Sequence, residues 1–235
     1  MPPESKEFAG KVVLIYGGST GIGRSTASHF INEGAQVAVL DVGERPDFLP
    51  ESSFRHADVS DWNKVNDSIN DFAQQLGGLD IVINNAAIKV AGNILDVSSH
   101  DFERLLRVNA LGFWNVAKAA LPYLIKSHGT LINVCSGTSP SLPPNNDAYF
   151  ASKGVSYSLT HALASSFKDK IRVLGIAPNP VDTALWRAGQ SEEKIQAALS
   201  GQSGPKVLKP EDIAQMILSL ASRKNTALDG RIYSY

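Results

Sequence analysis

The 235-residue chain is 43% hydrophobic and 19% charged, with a formal net charge of −1. That balance lacks the basic excess of a nucleic-acid partner, and the single cysteine, Cys135, excludes an intrachain disulfide and fits a reducing, cytoplasmic setting. No run approaches the ~18 apolar residues of a membrane span, and MPPESKEFAG lacks the basic flank and apolar stretch of a secretory signal.

In chain order, KVVLIY (11–16) reads as a strand, 22–33 as a helix and AQVAVLD (35–41) as a second strand. Residues 42–53 carry two prolines and no helical period, so a loop crossover is expected where a helix would usually sit. A weak strand SFRHA (53–57), a helix over 61–76 and a strand LDIVINN (79–85) follow. One long helix over 99–126 leads to the strand GTLINVC (129–135), a helix over 148–167 and the strand IRVLGIA (171–177). Residues 184–209 are irregular, with one small helix on a mobile excursion. Pro210 followed by Glu211 and Asp212 opens a helix over 210–221, and GRIYS (230–234) is a last strand. The apolar runs are nearly continuous rather than alternating, as in parallel strands buried on both faces. The expected fold class is therefore α/β, one domain over 1–235 with a doubly wound parallel sheet and helices on both faces.

Ligands bind such sheets beyond the carboxyl ends of the strands, which directs attention to the residues just after each strand. YGGSTGIG (16–23) lacks the usual G-x-G-x-x-G fingerprint, because Ser19 stands at its second glycine; the spacing is Gly17-x-x-x-Gly21-x-Gly23. It is either a tight turn needing positive φ or a phosphate cradle at a helix N-terminus. Asp41 lies 18 residues after Gly23, close to the interval at which a carboxylate takes a ribose 2′-hydroxyl and repels a 2′-phosphate; alternatively it only ends a strand. Asp58 could accept from an adenine amino group with Val59 on the ring, or Asp58 or Ser60 could cap the next helix. Asn84-Asn85-Ala86-Ala87 is a nucleotide-facing strand end or an ordinary turn.

Tyr149 and Lys153 are four apart on a predicted helix and so share a face. An ammonium beside a phenol lowers its pKa and makes it a proton-transfer group near neutrality. Ser136, 13 residues earlier, could hold a substrate oxygen or be a plain loop serine. Asn109, polar within an apolar helical stretch, either binds a water linked to Lys153 or faces out.

These residues occur in one order along the chain, and the sequence resembles the short-chain dehydrogenase/reductase family over about residues 8–235. The resemblance implies a single Rossmann-type domain with a seven-stranded sheet, usually a homotetramer or homodimer, that moves a hydride between NAD and an alcohol or ketone. It implies Tyr149 as general acid/base, Lys153 lowering its pKa and binding the ribose, Ser136 orienting the substrate oxygen and Asn109 anchoring a relay water. It places Gly17, Ser19, Thr20, Gly21, Ile22 and Gly23 at the pyrophosphate, Asp41 at the adenosine ribose and Asp58 with Val59 at the adenine. Asn85 would lie near the ribose, and Pro178, Val181 and Thr183 at the carboxamide. Tyr16, Ala87, Leu174 and Asn179 depart from the family pattern. Other readings are a sensor that binds NAD(H) without turnover and a non-redox dehydratase or epimerase. The substrate pocket is expected among residues 88–94, 137–145 and 184–200. Ile88, Val90, Leu142, Pro143, Leu185 and Trp186 there favour an apolar or cyclic substrate, and Arg187 either pairs with a substrate carboxylate or is solvated.

Overall fold

Val12 to Tyr16 are buried at every position, because both faces of the strand are covered. Val12, Leu14 and Tyr16 pack on one side, with residues of the helices at 62–76 and 113–127. Val13 and Ile15 pack on the other, with the helices at 21–32 and 210–221. The computed structural model describes residues 6–136, 143–225 and 229–234. Its strands are β1 (Val12–Tyr16), β2 (Gln36–Asp41), β3 (Phe54–His56), β4 (Ile81–Asn84), β5 (Thr130–Val134), β6 (Arg172–Ala177) and β7 (Ile232–Ser234). They form one parallel sheet in the order β3-β2-β1-β4-β5-β6-β7. The order reverses between β1 and β4, which opens a crevice above their carboxyl ends.

The helices are α1 (Gly21–Asn32), α2 (Trp62–Leu76), α3 (Ser99–Leu106), α4 (Phe113–Ser127), α5 (Asp147–Ser166), α6 (Ala184–Arg187), α7 (Glu192–Leu199) and α8 (Pro210–Ala221). The loop crossover after β2 is present; a short 3₁₀ turn, Glu51–Ser53, is its one regular piece. Leu49, 1% exposed, nails it to the core. In α8 the Asp212 carboxylate accepts from Lys209 N at 2.9 Å, satisfying one of the orphan donors of that helix start. The single helix expected over 99–126 is instead three pieces, because a π-helical segment, Arg107–Gly112, joins α3 to α4. Gly112 is needed in that segment: a Cβ there would lie 2.5 Å from Val59 Cγ2. Inserted π turns of this kind are rare and re-aim the side chains they carry.

Tyr16 is fully buried, and its hydroxyl has no hydrogen-bond partner among the described residues. Burial, and secondarily the Asp58 carboxylate, push its pKa up. An unmatched buried hydroxyl costs free energy that its removal recovers. Tyr16→Phe is therefore expected to stabilise the fold by about 1 kcal/mol and to raise Tm by roughly 2–4 °C in a thermal melt; a fall in Tm would show that the hydroxyl is paired. Of the other departures from the family pattern, Leu174 is buried in the core and Asn179 is exposed.

Candidate active site

The turn after β1 is built by three chain segments meeting at backbone distance. Gly17 adopts φ +73°, and a Cβ on it would lie 2.7 Å from Ala86 Cα; a Cβ on Gly23 would run into the Gly17 carbonyl oxygen. Asn85 Nδ2 donates to that same oxygen at 2.7 Å, so Asn85 braces the turn as well as lining the cleft beside it. Thr20 sits at the N-cap of α1 but makes no side-chain cap bond, and the first turn carries no acidic residue. The N–H groups there remain available to an anion, and the helix dipole favours one. Ser19 N donates to Asp41 Oδ2 at 2.8 Å and Gly43 N to Asp41 Oδ1 at 2.8 Å. The Ser19 hydroxyl is buried without a partner among the described residues.

A cleft of about 380 Å³ begins at this turn and follows the ends of β2 and β4 to α6. Asp41 lines it with two of its roughly four acceptor positions filled, leaving capacity for hydroxyls. Asp58 also lines it. Its Oδ1 accepts from Ser60 N and Ser60 Oγ, both at 2.8 Å. Neither Asp58 nor Ser60 caps α2; Asp61 does, accepting from Lys64 N at 3.1 Å. Val59 lines the floor of the cleft against Gly112. At the other end Thr183 both lines the cleft and caps α6, accepting from Trp186 N at 3.2 Å. Val181 is buried below it, bridged to Leu208, and Pro178 is half-buried at the end of β6. A hollow of similar size, about 420 Å³, lies among Glu7, Glu33 and Ser222, residues that precede β1, precede β2 and follow α8, away from the carboxyl ends of the strands.

Ser136, Tyr149 and Lys153 are not among the residues that line the cleft; Tyr149 stands in the first turn of α5, hydrogen-bonded through its side chain to Ser136. Burial pushes the Tyr149 phenol up, and the Ser136 bond partly offsets this. The expected lowering by Lys153 is not found in this conformation. Lys153 is 2% exposed, donates from Nζ to Val134 O at 2.7 Å and lies 4.5 Å from the centroid of the Phe113 ring. It points at the end of β5 rather than at the phenol, and burial brings its own pKa down to about 8. Asn109 also differs from expectation. Its Oδ1 accepts from Ile88 N at 2.9 Å, and its Nδ2 donates to Ile88 O and Ser152 Oγ, each at 2.9 Å. Ser152 in turn donates to Tyr149 O at 2.7 Å. Both amide protons are thus spent on protein, and Asn109 ties the strand-end loop to the helix turn that carries Tyr149.

Ile88 and Leu185 of the expected pocket line the cleft, Val90 and Trp186 are half-buried and Pro143 is exposed. Residues 137–142 of the expected pocket, Leu142 among them, lie outside the described residues. Arg187 is not free for a substrate carboxylate: it holds Asp182 through Nε at 2.6 Å and Nη2 at 2.9 Å. Arg104 and Val108, which match no motif, also line the cleft; their four-residue spacing just before Asn109 is the one signal of this in the sequence.

Comparison with known proteins fits this geometry. A family model described as enoyl-(acyl carrier protein) reductase matches residues 17–234. The meso-2,3-butanediol dehydrogenase of Serratia marcescens is 31% identical over 234 residues, which cover 95% of this chain and 92% of that one. Among solved structures, the aldohexose dehydrogenase of Thermoplasma acidophilum superposes with a TM-score of 0.88 at 27% identity, covering 98% of this chain and 93% of that one. The 3-ketoacyl-(acyl-carrier-protein) reductase of Brucella melitensis, solved with NADH, gives 0.86 at 26% identity and covers 96% of each chain.

Proposed function

Because the chain belongs to the short-chain dehydrogenase/reductase family, and so to the nicotinamide-dependent oxidoreductases, we propose that it interconverts a secondary alcohol and a ketone with NAD(H), Tyr149 moving the proton. The observation that carries this is the Ser136–Tyr149 hydrogen bond, tied through Ser152 and Asn109 to Ile88 in the lining of a cleft that starts on an uncapped helix N-terminus. The glycine turn, with no side-chain cap on α1 and no room for a Cβ at Gly17 or Gly23, fits a diphosphate. Gly17 to Gly23 would hold that group, Asp41 the adenosine ribose, Asp58 and Val59 the adenine, and Thr183 the nicotinamide end. A bound nicotinamide supplies or accepts the hydride.

The protein's own residues do the rest. Ser136 fixes the substrate oxygen beside the Tyr149 hydroxyl. Tyr149, kept protonated by burial, gives its proton to that oxygen in reduction and takes one in oxidation. Lys153, four residues after Tyr149 on α5, holds its ammonium on the Val134 carbonyl at the end of β5. Asn109 positions Tyr149 through Ser152 and shapes the cleft wall through Ile88. The apolar side chains Ile88 and Leu185 suit an apolar or cyclic substrate, which the 184–209 segment would cover.

The cofactor preference is for NAD over NADP. A 2′-phosphate at the ribose would meet the Asp41 carboxylate, and the arginines nearest in sequence are already committed. Arg24 pairs with Asp47 at 2.7 Å and lies over Phe48, and Arg45 donates to the Leu49 and Pro46 carbonyls. The NADH-bound Brucella reductase supports the same choice. A homodimer or homotetramer in the cytoplasm completes the reading. Its support is the exposure of Leu111, Trp114 and Val155, on the neighbouring π segment, α4 and α5. Among the described residues no helix is long and apolar enough to cross a membrane.

Fluorescence titration with NADH and NADPH tests the preference. The wild type is expected to bind NADH more tightly, and Asp41→Ala to narrow the gap about tenfold, mainly by tightening NADPH. A wild type that prefers NADPH overturns the ribose assignment. Assay of NADH absorbance against a panel of alcohols and ketones then separates an enzyme from a sensor, which would bind the cofactor and turn over nothing.

A further inference from the structure

A dinucleotide brings a doubly charged diphosphate into its site, so the charges that line the cleft matter. Its described lining contains three charged side chains: Asp41, Asp58 and Arg104. Two carboxylates against one cation leave that lining net negative. The α1 N-terminus contributes only about half a positive charge, and the Lys153 ammonium is buried on the Val134 carbonyl.

Arg104 is placed to supply the missing charge. It sits on α3 one turn before Val108, so the two share a face, and both face the cleft. The wall behind them is held on three sides. Leu105 is fully buried, Asn109 is clamped to Ile88 by two hydrogen bonds, and Gly112 packs directly on Val59. Ile88, Arg104 and Val108 line the same cleft as Gly17, Gly21 and Ile22 of the glycine turn. The guanidinium has no tight ion pair: the Asp101 carboxylate is 3.7 Å away, and the Arg104 side chain is 57% exposed.

We propose that Arg104 is a cofactor-holding residue, its guanidinium reaching from the α3 wall to the adenosine diphosphate half of the dinucleotide. The cofactor then meets both the α1 N-terminus and the Arg104 cation, which line one cleft. Charge-assisted hydrogen bonds to phosphate are among the stronger polar contacts. The inference rests on the NAD reading given above.

Binding measurements test it without any substrate. NADH and reduced nicotinamide mononucleotide are titrated by fluorescence, and ADP by competition with NADH. Arg104→Ala and Arg104→Gln are expected to weaken NADH and ADP about tenfold and to flatten the salt dependence of NADH binding. Reduced nicotinamide mononucleotide should stay within about twofold, and Arg104→Lys should keep most of the affinity. Arg107→Ala, an equally exposed arginine outside the cleft lining, serves as the control and should change nothing. The proposal is overturned if both Arg104 variants bind ADP and NADH as the wild type does, or if the mononucleotide loses as much as ADP. A wild type that binds no NADH would instead defeat the NAD reading, a result visible before any variant is made.

Discussion

Tyr149→Phe is expected to lower turnover about 10²- to 10⁴-fold while leaving NADH binding within about twofold. The substitution removes one oxygen from a ring that is already half-buried, so the fold has no reason to change. What is lost is the proton-transfer group and the hydrogen bond to Ser136. The wild-type pH profile should carry the same signature. Burial raises the Tyr149 pKa, so the protonated form needed for ketone reduction persists through neutrality. The phenolate needed for alcohol oxidation becomes more abundant as pH rises. Oxidation is therefore expected to climb with pH above neutrality while reduction falls only in the alkaline range. Lys153, with a pKa near 8, loses its charge within the same range and should bend the profile there. Steady-state rates in both directions from pH 6 to 10 would show this. Wild-type-like turnover in Tyr149→Phe, or oxidation that declines as pH rises, would remove Tyr149 from the role.

Gly23→Ala carries the largest expected effect on cofactor binding. The added methyl would collide with the Gly17 carbonyl oxygen and approach Asn85 Nδ2 to 2.8 Å, neither of which can move without opening the turn. The Asn85–Gly17 hydrogen bond would break, and the N–H groups of α1 would no longer converge. NADH affinity should fall about 100-fold or more, and overpacking of about 1–3 kcal/mol should lower Tm by several degrees. Gly154→Ala is the counterpart: nothing lies within 4 Å of its Cβ position on α5, so the change should be neutral or stabilising by about 0.5–1 kcal/mol. Equal behaviour of the two variants in calorimetry and NADH titration would refute the close-packed turn.

Several features were legible in the order of residues because they depend on local chemistry. Continuous apolar runs such as KVVLIY mark strands covered on both faces, and β1 is buried at every position. The absence of helical period after Asp41 correctly marked a crossover without an α-helix. Gly17 and Gly23 marked a turn too tight for side chains, because glycine is the residue such a turn demands. Asp41 stands at the end of β2, where strand length alone brings it beside Ser19.

Other features depended on which way a side chain turns once its neighbours are present. The i, i+4 spacing put Tyr149 and Lys153 on one face of α5, but a backbone carbonyl from β5 and the ring of Phe113 draw the ammonium away from the phenol. Asn109 was marked as a polar residue needing a partner; that its partners are Ile88 and Ser152 follows from the π segment, which has no periodic signature in sequence. Arg187 read as a solvated arginine or a substrate anchor until the fold set Asp182 within 2.6 Å of it. Arg104 has no motif that singles it out in the sequence; only the fold puts it and Val108 in the cleft lining. Fold class, the glycine turn and the candidate proton-transfer groups were thus readable from the order of residues, since periodicity and backbone freedom are properties of near neighbours in the chain. Hydrogen-bond partners, pKa direction and the charge facing the cleft came from the packed fold, because they arise between residues far apart in the chain, 68 positions for Asn85 and Gly17.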